Sequence, residues 1–92
     1  MNELRGLQCF VTLAEELNFS RAAERLHVAQ PALSQQIRAL EDRMGTQLID
    51  RTRRPLRLTE AGQYLATEAR QILGSLAEVT LGTLEIGVGR RG

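Results

Sequence analysis

The 92-residue chain has no tryptophan and no lysine, one cysteine, one histidine and two prolines. A lone cysteine excludes an internal disulfide, and Cys9, beside Phe10 and Val11, is expected to be packed rather than reactive. One histidine and one cysteine leave no metal-ligand spacing, and neither a phosphate loop nor a nucleophile motif is present. The carboxylates are dispersed among arginines without an acid/base pair. An enzyme is therefore not expected, and no cofactor is implied. With one tyrosine and two phenylalanines, the core must be aliphatic, mostly leucine and alanine. No apolar run approaches the ~20 residues that span a bilayer. The N-terminus "MNELRGLQCF" is patterned like a helix rather than a secretory signal. These absences together predict a reducing, cytoplasmic setting and no membrane partner.

What is present is arginine. The net charge is only +1, but all twelve cations are Arg. Six of them fall between Arg38 and Arg57, against Glu41, Asp42 and Asp50, and "RTRR" at 51–54 is the densest piece. Arginine suits bidentate contact with phosphate and base edges. A solvated basic loop would give the same composition, so the argument must come from where the arginines sit.

The length allows one small domain. Leu4, Leu7, Phe10, Val11, Ala14 and Leu17 lie on one face of a first helix reaching about Leu17. "NFS" interrupts it, and Ser20 is expected to cap a short second helix, "RAAERL", ending near Leu26 and His27. A turn from His27 to Gln30 follows. Pro31 then suits the first turn of a third helix, where its missing N–H costs nothing. Leu33, Ile37, Leu40 and Met44 mark that helix's buried face, and Gly45 is a left-handed cap. The pattern is a helix–turn–helix. "QLIDR" and "LRL", around Pro55, predict a two-stranded hairpin or wing. Thr59 is expected to cap a fourth helix, with Glu60 placed well against its dipole, running to about Leu81 before Gly82 stops it. Gly74, mid-helix, costs about 1 kcal/mol against Ala. The fold class is thus mainly α, a winged helix-turn-helix (three helices and a two-stranded wing, 1–59) followed by a long linker helix (60–81). The tail, 82–92, alternates Leu84, Ile86 and Val88 like the start of a strand.

With Leu33, Ile37 and Leu40 facing inward, Pro31, Ser34, Gln35, Arg38 and Asp42 form a second stripe. It is short, polar and uncharged at the helix start, with Arg a turn later. Gln pairs with an adenine edge, Ser with phosphate or base, and Arg with guanine or phosphate, which is what a major-groove reader requires. The fourth helix carries Leu65, Ala69, Ile72, Leu76 and Val79 at spacings of four, three, four and three. That is a heptad seam, though packing onto its own domain would give the same stripe.

Helix, turn, proline-led helix and Arg-rich hairpin occur in that order. The run "LQCFVTLAEELNFSRAAERLHVAQPALSQQIRALEDRMGTQLIDRTRRPLRLTEAG", 7–62, resembles the N-terminal DNA-binding region of LysR-type transcriptional regulators, and the likeness returns at "GTLEIGV". The resemblance implies binding to double-stranded DNA, with Gln30, Pro31, Ser34 and Gln35 facing it from the recognition helix. It implies phosphate contacts from Ser20 and Arg21, backbone or minor-groove contacts from Arg53 and Arg54, and a cap with a further phosphate contact at Thr59. Position 35 is more often basic in that family, so Gln35 implies a more adenine-like readout. The resemblance also implies a homodimer through the linker helix, although the linker here is shorter than usual. The family's effector-binding domain would begin at "TLEIGV", so the chain is expected to be a fragment or a shortened product, with any small-molecule effector bound elsewhere. The rival expectation is a winged-helix protein–protein module. An exposed stripe without an apolar anchor, beside an Arg-rich wing, argues against it.

Overall fold

A computed structural model describes the backbone of residues 3–88 and the side chains of residues 4–74. The order is α1 (Glu3–Glu16), α2 (Phe19–Leu26), α3 (Gln30–Met44), β1 (Ile49–Asp50), β2 (Arg57–Leu58) and α4 (Glu60–Val88). Helix α1 buries Cys9, Phe10, Leu13 and Ala14. Burial pushes the Cys9 thiol up, although the charge of Arg5 opposes it, in keeping with a packed, unreactive sulfur.

The cap of α2 is Asn18, not Ser20. Asn18 is extended, and its Oδ1 accepts the Arg21 N–H at 2.9 Å. The helix must begin at Phe19 because that side chain packs against the core, so the capping position falls one residue earlier. Ala22 and Ala23 are buried, and their small size lets α2 approach its neighbours closely. Arg25 reaches back to Glu15 at 2.8 Å and Glu16 at 3.1 Å, pinning α2 to the end of α1.

His27 ends α2 in the left-handed region (φ 58). Its N–H donates to Glu24 O, and the Val28 N–H donates to Ala23 O. The turn is therefore shorter than expected, since Gln30 already belongs to α3. Pro31 sits in the first turn of α3 and Gly45 (φ 71) closes it, its N–H donating to Glu41 O and Asp42 O. Leu33, Ile37 and Leu40 face inward as their spacing predicts. Met44 does not and is half exposed. The chain turns away at Gly45, the residue after Met44, and the fourth inward position is taken by Glu41 instead.

The wing is antiparallel, pairing Ile49 with Leu58 and Asp50 with Arg57. Leu48 and Ile49 plug its base into the core. Phe10, Leu13, Leu33, Ile37, Leu48 and Ile49 are essentially inaccessible, and each contributes about 1.5–3 kcal/mol by leaving water. Thr59 caps α4 as expected: its hydroxyl accepts the Gly62 N–H at 3.0 Å and donates to Gln47 O at 2.7 Å.

Helix α4 does not stop at Gly82 but runs to Val88. One glycine costs only about 1 kcal/mol in a helix, so Leu84, Ile86 and Val88 continue α4 rather than starting a strand. Residues 89–92 lie outside the described residues.

Candidate nucleic-acid interface

The outer stripe of α3 follows from its inner one. With Leu33, Ile37 and Leu40 buried, the helical period leaves Gln30, Pro31, Gln35 and Arg38 exposed and Ser34 half-buried. The start of α2 meets the start of α3 here: the Ser20 hydroxyl donates to Gln30 Oε1 at 3.0 Å. Ser20 and Gln30 line an open cleft with Leu17, Asn18, Phe19, Arg54, Pro55 and Leu56. The fold therefore gathers Ser20, Gln30 and Arg54, from three elements, around one cleft. Ser34, Gln35 and Arg38 continue along α3 beyond it. Pro31 lies in the exposed first turn, and Arg21 stands exposed one residue past Ser20. Thr59 is elsewhere, at the base of the wing, with its hydroxyl committed to Gln47 O and the Gly62 N–H.

The arginines are not equivalent. Arg53 Nε lies 3.6 Å from Asp50 Oδ2. The Thr52 hydroxyl and N–H both donate to Asp50 Oδ1. Those two hydrogen bonds, helped by the charges of Arg53 and Arg57, hold the Asp50 carboxyl below its ordinary range. Arg51 turns inward: its Nη2 is 3.3 Å from Glu41 Oε1 and its Nη1 3.4 Å from Oε2. Among the described residues, Arg21, Arg38 and Arg54 have no ion-pair partner. Arg5, Arg43, Arg57 and Arg70 are likewise unpaired among the described residues, but Arg21, Arg38 and Arg54 are the ones singled out by the sequence.

Glu41 was invisible to the sequence reading, which counts apolar residues when it looks for a buried face. It is 8% exposed. Its Oε2 accepts the N–H groups of Leu48 at 2.8 Å and Ile49 at 3.2 Å. Burial alone would raise this carboxyl. The hydrogen bonds from Leu48, Arg51 and Ile49, with the charge of Arg51, outweigh it and hold the group below its ordinary value. The one available signal was its spacing, four residues after Ile37.

On α4, Leu65 packs against the core and Ala69 is fully buried, whereas Ile72 is half exposed. The first part of the seam therefore faces its own domain. Leu76 and Val79 lie outside the described side chains. No described helix is long and apolar enough to cross a membrane.

Three helices, a tight turn before a proline-led third helix, and a short antiparallel wing define a winged helix-turn-helix domain. The family described as bacterial regulatory helix-turn-helix proteins of the lysR type matches residues 4–63, and the chain belongs to that family. It is 53% identical over 89 residues to the HTH-type transcriptional regulator CatR of Pseudomonas putida, covering 97% of this chain and 30% of CatR. It is 49% identical over 70 residues to the DNA-binding transcriptional dual regulator OxyR of Escherichia coli, covering 76% of this chain and 23% of OxyR. The chain thus spans less than a third of these relatives, both of which are transcriptional regulators. Its fold superposes on the BenM DNA-binding domain, crystallised with catB site 1 DNA, with a TM-score of 0.90 at 39% identity. That match covers 95% of this chain and 94% of the other.

Proposed function

We propose that this domain binds double-stranded DNA with sequence preference and regulates transcription as part of a cytoplasmic, non-enzymatic homodimer. The exposed stripe of α3 lies in the major groove. Gln30, Pro31, Ser34 and Gln35 face base edges there, and Arg38 faces a base or phosphate. Ser20 and Arg21 contact phosphate at the start of α2. Arg53 and Arg54 bring the wing to the backbone or adjacent minor groove, with Arg54 the stronger contributor because Arg53 already has Asp50 beside it. Thr59 serves its helix first, since both hydrogen-bonding roles of its hydroxyl are filled. Leu65, Ala69, Ile72, Leu76 and Val79 form the seam toward a second subunit, with Ile72 the described member most open to it. Residues 1–59 then form the DNA-binding unit, 60–81 the linker, and 82–92 the approach to an effector-binding domain that takes the small molecule.

The observation that carries this reading is the convergence of Ser20, Gln30 and Arg54 on one cleft at the exposed start of α3. An exposed helix start and an arginine-bearing wing flank that one opening, as groove and backbone contacts to a duplex require. The test is binding to duplexes enriched from a random pool, read against salt. Counterion release predicts a steep loss of affinity as salt rises. Gln35→Ala should relax base preference by about 1–3 kcal/mol at one position, whereas Arg54→Ala should weaken all duplexes evenly and flatten the salt slope by about one phosphate. A folded dimer that ignores duplex DNA at low salt would refute the reading.

A further inference from the structure

Arg51 belongs to the same arginine-rich run as Arg53 and Arg54, and composition offers it as another phosphate contact. Its surroundings say otherwise. Both terminal nitrogens of the guanidinium are turned onto the Glu41 carboxylate of α3. The same guanidinium lies over the Phe19 ring, 6.0 Å from its centroid. Phe19 opens α2 and lines the cleft beside Ser20 and Gln30. Glu41 also holds the Leu48 and Ile49 N–H groups at the entry to β1. One planar cation thus joins the start of α2, the later part of α3 and the base of the wing, three residues before Arg54.

We infer that Arg51 is a positioning residue: clamped by Glu41 and Phe19, it sets where the wing carries Arg54 relative to the recognition helix, and it does not itself touch DNA. The inference rests on the DNA-binding reading above. The wing cannot fix its own direction, because two paired residues per strand make too short a ladder to be stable alone. A tie at its base must do so, and the tie needs a fork that is both bidentate on a carboxylate and flat against a ring. Arginine provides that shape and lysine does not.

The geometry separates two roles that composition confuses. A phosphate contact contributes one step to the salt dependence of binding and tolerates any cation of similar reach. A positioning residue changes the slope only through the contact it places, by the same amount whether or not its own charge is kept, and is not rescued by charge alone.

The experiment measures the 92-residue chain on its best duplex from a random pool, across a salt series, for wild type, Arg51→Lys, Arg51→Gln and Arg54→Ala. Arg51→Lys and Arg51→Gln are both expected to weaken binding about tenfold, the size of one misplaced contact, and to flatten the slope alike and by no more than Arg54→Ala does, although only the second removes a charge. In the Arg51→Lys background, Arg54→Ala should cost less than it does alone, while Gln35→Ala should relax base preference as before. That selective coupling to the wing is something general destabilisation would not produce. The inference is overturned if Arg51→Lys binds like wild type while Arg51→Gln loses one phosphate's worth of slope, or if both variants bind like wild type. Should either variant fail to fold, the guanidinium protons of the wild-type chain decide by NMR. Slow exchange with and without duplex is expected, and protection that appears only with duplex overturns the inference. Wild-type chain that shows no salt-dependent binding refutes the DNA-binding reading itself.

Discussion

The two halves of the proposed DNA surface are built by opposite means. On α3, the outward residues are placed by the helix alone. Of Gln30, Pro31, Ser34, Gln35 and Arg38, only Gln30 has a side-chain hydrogen bond among the described residues, to Ser20. On the wing, the side chains are held by partners: the tip is tied locally, with Arg53 and Thr52 both against Asp50, but the base depends on Arg51 being turned onto Glu41 of α3. A helix presents its stripe wherever its inner face is buried. A hairpin with two paired residues per strand holds its direction only through tertiary contacts. The helix stripe should therefore survive perturbations that displace the wing.

The largest effect expected is that of Glu41→Ala. It leaves the buried Leu48 and Ile49 N–H groups without acceptors and the half-buried Arg51 without its carboxylate. The loss should be about 2–4 kcal/mol, measured by urea unfolding. Amide exchange should rise across 47–58 much more than along α3, and equal rises in both would break the contrast. Acid tests the same contact in the unaltered chain. The folded carboxyl sits below its ordinary 4.5, so in that window the unfolded chain binds the extra proton and stability rises with pH. The contribution is complete above 4.5 and disappears as pH falls through the folded value. Melting curves below pH 4.5 should fall more steeply for wild type than for Glu41→Gln.

Next in size is Gly62→Ala. A Cβ there would stand 2.1 Å from Leu48 O and 3.3 Å from Leu58 Cβ, so α4 must shift away from the wing's base. Overpacking of this kind costs about 1–3 kcal/mol. Gly74→Ala, on the same helix, meets nothing within 4 Å and should raise stability by up to about 1 kcal/mol. Thermal melts of the pair test whether glycine matters in α4 only where the helix touches the wing.

The same division explains what could be read from the sequence. Apolar spacing located α1 and α3, Pro31 marked where α3 begins, Gly45 where it ends, and Thr59 announced α4, because each of these signals is local. Apolar spacing puts Met44 inside in place of Glu41, because it cannot distinguish a carboxylate that is buried for its hydrogen bonds. The short segments around Pro55 located the wing, but which of its arginines remains free depends on Glu41 and Asp50, neither of which the count of cations distinguishes. Ser20 and Asn18 are equally good capping residues. Only the packing of Phe19 decides between them.

That last pair gives the smallest effect and the finest test. Asn18→Ala removes the acceptor of the Arg21 N–H and should cost about 1 kcal/mol of stability. Ser20→Ala, two residues on, removes no cap and should stay within about 0.5 kcal/mol of wild type. It does remove the hydroxyl that holds Gln30 Oε1, so its expected consequence is a changed base preference in duplex selection, with the melting temperature unmoved. If Ser20→Ala destabilised as much as Asn18→Ala, α2 would begin at a different residue and the meeting of Ser20 with Gln30 would lose its basis. If instead the two separate as expected, one residue closes the helix and its neighbour tunes the reading surface. The helical half of the interface would then be adjustable without cost to the fold, as the wing, tied through Glu41, is not.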